Sequence, residues 1–386
     1  MTTAIVSVDA NNSKLQVGGT DVLLFGTGGD ISPIKTVNGS ALAGTHNRLI
    51  NGDHRVDQRY VGAAVTPTTF QYVTDRWQYY CTASSKLTLQ RVADAPSGHK
   101  YSLKVTVATQ YAPASTDAFN ISQVVQGLNI IDFAYGLAGA VTVTLSAQVK
   151  SSITGTYPVS FRNSGSNRSY VGTYTIASAN TWTPIVITLV GDTTGTWLTD
   201  TGAGLSVTFG LGFGTSFNTT AGSWQAGNFN QVSGNILFVN QTAGATWQIT
   251  ATQLEVGSVA TAYERETYED TFYKCLYYFE KMSLGAGYSG TSAGGNAIVG
   301  YVYATGQTPV AYVPYSVIKR VSPTTITFPT GGGNARYISS IGISTGLTPS
   351  PASYNINGFN LTVNVSPGVS TGWIDGIGDI WIHSDY

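Results

Sequence analysis

The run VTVTLSAQVKS, residues 141–151, decides the fold. Val141, Val143, Leu145, Ala147 and Val149 alternate with Thr142, Thr144, Ser146, Gln148 and Lys150. A period of two places the first set on one face of a strand and the second on the other. The pattern continues on both sides. FQYVTDRWQYY (70–80), KLTLQRV (86–92) and YSLKVTVATQ (101–110) precede it; YPVSFRN (157–163), SYVGTYTI (169–176), TPIVITLVG (183–191), LSVTFGLGFG (205–214), NILFVNQ (235–241) and TWQITATQLEV (246–256) follow. Turn residues separate them in APSG (95–98), NSGSN (163–167), GDTTG (191–195) and TGAG (201–204). Strands without helical crossovers predict an antiparallel jelly-roll β-sandwich over residues 46–262.

Composition agrees. Only 10% of the 386 residues are charged, against about 25% in an ordinary globular chain. The 45 glycines, with abundant Thr, Ser and Val, favour strands and turns. Such a surface suits a rigid extracellular or virion protein. The net charge of −1 lacks the basic footprint that draws in phosphate backbones, so no nucleic-acid partner is expected. No apolar run is long enough to span a bilayer, so no membrane insertion is expected. The residues after Met1, TTAIVSVDANN, have neither a basic nor an apolar signal region. Release by lysis would reconcile that with work outside a cell. Cys81 and Cys275 read as two reduced, buried thiols.

Residues 1–45 read as an N-terminal β attachment segment with a linker, too small to be stable alone. Residues 263–282 break the β pattern. Tyr263, Phe272, Leu276, Tyr277 and Phe279 recur on one broad helical face, with acidic residues early and Lys281 late, which predicts a short connecting α-helix. Residues 283–386 return to strand patterns such as AIVGYVYATG, PVAYVPYSVIK and DIWIHSDY, a C-terminal β-sandwich domain.

Three segments together carry a resemblance. They are NRLINGDHRVDQR (47–59) with TDRWQYY (74–80); residues 141–176 with 180–214; and WQITATQLEVGSVATAYERETYEDTFYKCLYYFEK (247–281). In order and content they resemble bacteriophage tail-fibre and minor structural proteins with a jelly-roll domain like a carbohydrate-binding module, over roughly residues 46–281. The resemblance implies a virion tail appendage, a homotrimer, a tail or baseplate partner for residues 1–45 and contact with the host surface. It implies no enzyme and no cofactor; a structural calcium, common in similar modules, has no place the sequence locates.

The charged residues are also readable directly. Asp53, Arg55, Asp57 and Arg59 alternate in sign, and Glu255, Glu264 and Arg265 lie at the other end of the same domain. Charges this scarce need partners when buried. Ion pairs closing the sandwich where the helix leaves it are therefore expected. The helix then acts as a joint, with its aromatic face around a trimer axis; a solvated linker helix is the alternative.

For catalysis the sequence offers little. GTSAG (290–294) with Ser292, then Asp375 or Asp379 and His383, follows hydrolase order. That motif belongs on a strand-turn-helix elbow, and here it sits in a Gly-rich β context. His46, His54, His99 and His383 lack zinc-ligand spacing. Aromatic residues in polar loops are the better lead, since sugars stack on rings and hydrogen-bond amides. Trp224, Phe229, Tyr288, Trp373 and Trp381 are the candidate glycan-binding residues, each with local packing as the alternative. A host-surface glycan is the expected ligand. A purely structural fibre and a glycan-degrading enzyme remain as the other readings.

Overall fold

The computed structural model describes residues 14–17, 20–24, 36–37, 40–41, 46–284, 298–301, 310–327, 335–339, 342–347, 349–363, 371–375 and 378–386. Near the N-terminus, β1 (Lys14–Val17) pairs with β2 (Thr20–Leu24), and β3 (Thr36–Val37) with β4 (Ser40–Ala41). Twelve strands follow: β5 (Gln71–Thr74), β6 (Trp77–Cys81), β7 (Leu87–Val92), β8 (Ser102–Val107), β9 (Ala118–Gln126), β10 (Val143–Ser151), β11 (Gly155–Arg162), β12 (Arg168–Ile176), β13 (Thr183–Leu189), β14 (Ala203–Phe213), β15 (Trp224–Ala226) and β16 (Thr246–Val256). They form two antiparallel sheets, ordered β13-β10-β16-β8-β7 and β15-β12-β11-β14-β9-β6-β5. This is an antiparallel jelly-roll β-sandwich.

The period-two pattern builds its core. Val143, Leu145, Ala147 and Val149 are buried along β10, while Ser146, Gln148 and Lys150 are half-buried. They meet Trp247 and Ile249 of β16 in one hydrophobic cluster with Trp77, Tyr79, Phe119, Phe161 and Phe209 of the opposite sheet. Thr144 departs from the pattern. It is fully buried, and its hydroxyl donates to Gly257 O at 2.8 Å.

Strand β16 is buried on both faces. The segment leading into the sandwich covers its outer side: Arg48 N–H donates to Leu254 O at 2.8 Å and Thr252 N–H to Gly52 O at 3.0 Å. A Cβ on Gly52 would lie 2.1 Å from Thr252 O, so only glycine permits this approach. The start and end of the domain thus close against one another.

The connecting helix is shorter than its sequence pattern. It is α1 (Tyr268–Leu276), not residues 263–282. Thr267 ends it at the N-terminus, accepting from Asp270 N–H at 3.1 Å and donating to the Asp270 carboxylate at 2.8 Å, a reciprocal cap. At the other end the chain turns directly into β17 (Phe279–Leu284). Tyr263 and Phe279 therefore lie off the helix. Thr271, Cys275 and Leu276 form its buried face, Phe272 stacks on Tyr268 at 5.9 Å, and Tyr277 meets the edge of Tyr278 at 5.1 Å.

Beyond it run β18 (Ile298–Tyr301), β19 (Val310–Pro314), β20 (Thr325–Thr327), β21 (Ala335–Ser339), β22 (Gly342–Leu347), β23 (Pro349–Tyr354), β24 (Gly358–Val363), β25 (Thr371–Asp375) and β26 (Gly378–His383). They give a three-stranded sheet, β17-β26-β20, and a seven-stranded sheet, β22-β21-β25-β18-β19-β24-β23. No helix among the described residues is long and apolar enough to cross a membrane.

The two β units meet at a buried ionic clasp. Asp75 and Arg76 form the tip of the β5–β6 hairpin, Arg76 at φ 73°, and both are buried. Arg59 pairs with Asp385 and lies 3.8 Å from Asp75, and Arg76 lies 3.7 Å from the second Asp385 oxygen. Each guanidinium also rests on a ring, Arg59 on Phe279 and Arg76 on Tyr278, both 3.5 Å from the centroid. Arg320 holds the last residues in place, donating to Ser384 O at 2.9 Å and Asp385 O at 2.8 Å.

Removing one member of a buried ion network typically costs about 3–5 kcal/mol, because its partners stay buried and uncompensated. Asp385→Ala is expected to lower stability to urea by about that amount. A loss below about 1 kcal/mol would place the hold on the C-terminal unit elsewhere.

A second prediction concerns pH. His54 is wholly buried beside Trp77, its Nδ1 3.0 Å from Thr74 Oγ1, and burial with the nearby Arg91 lowers its pKa to about 3. Burial likewise lowers His383 to about 4. The unfolded histidines take protons near pH 6.5 while the folded ones do not, so stability falls as pH drops below about 6.5. For His54 the slope is about 1.4 kcal/mol per pH unit down to the folded value. Urea midpoints between pH 7 and pH 4 test it: His54→Gln should flatten the profile, and an unchanged slope would refute the assignment.

Candidate functional site

The outer face of the seven-stranded sandwich sheet is polar by the same alternation that makes its inner face apolar. Tyr80 of β6 pairs with Asn120 of β9, which pairs with Gly210 of β14. One step along lie Gln78, Ser122, Thr208 and Ser160, joined in register across β6, β9, β14 and β11. Ser122, Thr208 and Ser160 are nonetheless buried, and the loop between β14 and β16 reaches Ser160.

That loop is tied down by specific bonds. Ser160 Oγ donates to Asn230 Oδ1 at 2.8 Å, and Ser169 Oγ donates to Gly227 O at 2.9 Å. Gln231 Nε2 donates to Phe213 O at 2.7 Å and Asn218 Oδ1 at 2.8 Å. Between loop and sheet is a cavity of about 210 Å³ lined by Tyr80, Asn120, Arg162, Phe213, Phe217, Asn228 and Asn230, with Thr82, Thr116 and Ala118 at one end. Asp117 orders that end, accepting from Thr82 Oγ1 and Tyr111 OH at 2.7 Å each; the Thr82 bond leads in holding its carboxyl below the usual range.

The donors and rings suit a sugar. Arg162 donates to Asn228 Oδ1 at 2.7 Å, and its buried Nε has no hydrogen-bond partner. Burial lowers its pKa to about 10, which leaves it charged at neutral pH. No described residue hydrogen-bonds the Asn120 side chain. Tyr80 is 42% exposed, and the Phe213 and Phe217 rings lie 5.4 Å apart. The volume is below the roughly 300–1,000 Å³ of pockets for drug-sized ligands, a scale suited to a single ring.

The residues singled out from the sequence do not converge here. Trp224 is half-buried among Trp197 at 5.3 Å, Tyr170 at 5.5 Å and Tyr135 at 5.6 Å, and its Nε1 donates to Val190 O at 2.8 Å. It packs against the core rather than standing open in a polar loop. Trp381 lies in β26 between Phe279 at 5.8 Å and Tyr60 at 6.2 Å, in the junction of the two units. Phe229 is half-buried beside Gly227, and its neighbours Asn228 and Asn230 reach the cavity. Trp373 falls in β25, its side chain outside the described residues; Tyr288 and the GTSAG run also lie outside them.

The expected ion pairs are redistributed. Arg55 pairs with Asp53 at 2.8 Å, Arg91 lies 3.5 Å from Asp57, and Arg59 belongs to the clasp. Glu255 accepts from Thr261 N–H at 2.8 Å, Glu264 accepts from Asn47 N–H at 2.7 Å, and Arg265 donates to Gly98 O at 2.5 Å. Thus 255–265 are joined to the rest of the domain mostly by hydrogen bonds rather than to 53–59 by ion pairs. Of the residues assigned to a trimer axis, Leu276 and Phe279 are buried within the chain, and Tyr263 packs on His99 at 5.2 Å. Both cysteines are free and buried. Among the described residues no group of three or more His, Cys, Asp or Glu could hold a metal ion.

No family model matches the chain, and no curated protein sequence matches it. Solved structures do. The enzymatically active domain of tailspike protein 4 from bacteriophage CBA120 matches over 47% of this chain and 19% of its own, at 14% identity and TM-score 0.28. The CBM22-1 xylan-binding domain of Paenibacillus barcinonensis Xyn10C matches over 56% and 100%, at 10% identity and TM-score 0.25. The family 11 carbohydrate-binding module of Clostridium thermocellum Lic26A-Cel5E matches over 53% and 99%, at 11% identity and TM-score 0.26. The chain spans about a fifth of the tailspike domain and about a quarter of a two-module Clostridium thermocellum xylanase, Xyn10B. At these scores none of them assigns a ligand to this chain.

Trp224 separates packing from ligand contact. Trp224→Ala is expected to cost about 2 kcal/mol, below the 3–5 of a fully buried tryptophan, measured by urea unfolding. Unchanged stability would return Trp224 to the list of surface platforms.

Proposed function

We propose that the chain is a homotrimeric tail appendage of a phage virion that attaches to a host-surface glycan, with one sugar ring held in the cavity beside Tyr80. The observation that carries the glycan reading is the lining itself: three aromatic rings, three amides and a guanidinium over a sheet face. Rings offer apolar faces to the C–H faces of a sugar, and amides and guanidinium offer donors and acceptors to its hydroxyls. The lining includes no carboxylate, whereas glycoside hydrolysis ordinarily needs two. That favours binding over cleavage.

The virion reading is supported by the sequence resemblance over residues 46–281 and by the charge-poor, glycine-rich composition. Residues 1–45 would engage a tail or baseplate protein, and the protein would act outside the cell after lysis.

Binding of purified host-surface polysaccharide tests the site. Tyr80→Ala and Asn120→Ala should each weaken it by about 2 kcal/mol, roughly 30-fold, with folding retained. Light scattering on the same samples should give three times the chain mass. Equal binding by wild type and variants would remove the cavity from the site, and no binding at all would leave a purely structural fibre.

A further inference from the structure

A second pocket, of about 540 Å³, lies on another part of the domain, between the Asp53–Arg55 segment, the turn at Gly98–Tyr101 and the chain entering α1. Arg55, Arg91, Lys100 and Arg265 line it, four of only 19 Lys and Arg in 386 residues. Its acidic residues are already engaged. Asp53 is paired with Arg55 at 2.8 Å, and Glu266 with Lys274 from outside the pocket. Arg91 lies 3.5 Å from Asp57. Arg265 and Lys100 are left with no carboxylate within ion-pair distance among the described residues.

Arg265 is nevertheless fixed. Its Nη1 donates to Gly98 O at 2.5 Å, and Nη2 lies 3.4 Å from His99 Nε2. Gly98 has φ +86°, and a Cβ there would meet Arg265 Nη2 at 2.8 Å, so the turn is shaped to admit the guanidinium. A guanidinium has five N–H donors, and these contacts occupy two groups of them only in part. His99 Nδ1 is buried with no hydrogen-bond partner. Lys100 sits 5.2 Å from the Tyr101 ring, which Arg91 also approaches at 4.5 Å.

We infer that this pocket binds the oxyanion of an acidic glycan, the carboxylate of a uronic acid or the phosphate of a sugar phosphate. The remaining N–H donors of an anchored Arg265, with the ammonium of the exposed Lys100 beside it, fit a planar carboxylate or a phosphate, and a neutral sugar would leave those two charges unmatched. The inference extends beyond the Tyr80 cavity and does not depend on it.

Calorimetric titration of the full chain with an oligogalacturonate, glucose 1-phosphate and neutral cellohexaose tests it. At least one anionic probe should bind. Its affinity should fall at least about tenfold between about 0.05 M and about 0.5 M NaCl. It should fall about tenfold in Arg265→Gln/Lys100→Gln, and less in Lys100→Gln alone. Leu137→Ala, at an exposed position that lines neither pocket, should leave it unchanged, and because these probes are titrated apart from the polysaccharide assay, failure here leaves the Tyr80 cavity standing. Binding of the uronate alone or of the phosphate alone identifies the source. The inference is overturned if neither anionic probe binds, or if the double variant, folded by thermal melt, binds as wild type does.

Discussion

Two arginines buried between the β units organise this molecule. Arg59 and Arg76 share Asp385 and each lies over an aromatic ring, while Asp75, at the hairpin tip, lies 3.8 Å from Arg59. Buried charges are costly unless every group is compensated. Burial pushes the Asp75 carboxyl up, against the pull of Arg59 and of two bonds from Gln58 at 2.7 Å. Gln58 also donates to Phe279 O at 3.1 Å, so the side chain that steadies Asp75 grips the first strand of the next unit. A generic apolar interface would tolerate sliding; this one requires a particular register between residues 58–76 and 278–386.

The clasp reaches the seven-stranded sheet that borders the Tyr80 cavity. Arg76 Nη2 donates to Val124 O at 2.5 Å, and Val124 is in β9, the strand that carries Asn120. The joint between the units is therefore hairpin tip, C-terminal residues and strand β17 together, with α1 a short element beside them. The helix pattern seemed long in the sequence because aromatic residues continue from Tyr263 to Phe279, yet off the helix Tyr263 and Tyr277 are half-buried and Phe279 buried, each for a separate reason. Tyr263 meets His99, Tyr277 meets Tyr278, and Phe279 underlies Arg59.

The sandwich was legible because alternation in VTVTLSAQVKS and its neighbours is a local property of each strand. The charge network was legible as a need but not as a set of partners. Asp53, Arg55, Asp57 and Arg59 do alternate, but Arg59 finds Asp385, 326 residues on, and no local pattern carries that pairing. The cavity was missed for a related reason. Trp224 stands in a Gly-rich polar loop in the sequence, yet its ring completes a box with Trp197, Tyr170 and Tyr135. Tyr80 and Asn120 were hidden as ordinary polar-face positions of strands, where sequence alone reads solvent.

What distinguishes them is how the two outer faces are closed. On the five-stranded sheet the chain's own entry and exit lie against β16, and Gly52 lets the backbone approach until Gln248, Thr250, Thr252 and Gln253 are buried. Side-chain hydrogen bonds then occupy Gln248, Thr250 and Gln253 from within. On the seven-stranded sheet the covering loop binds Ser160 and Ser169 but stops short of the Tyr80–Asn120 row. Gly210 extends that row, where a Cβ would strike Pro158 and Phe213. The Arg162 Nε is left without a hydrogen bond there, and the exposed Tyr80 ring stands at the margin of the sheet. A polar face closed by its own chain is used up as structure, and one closed only in part leaves a cavity between loop and sheet.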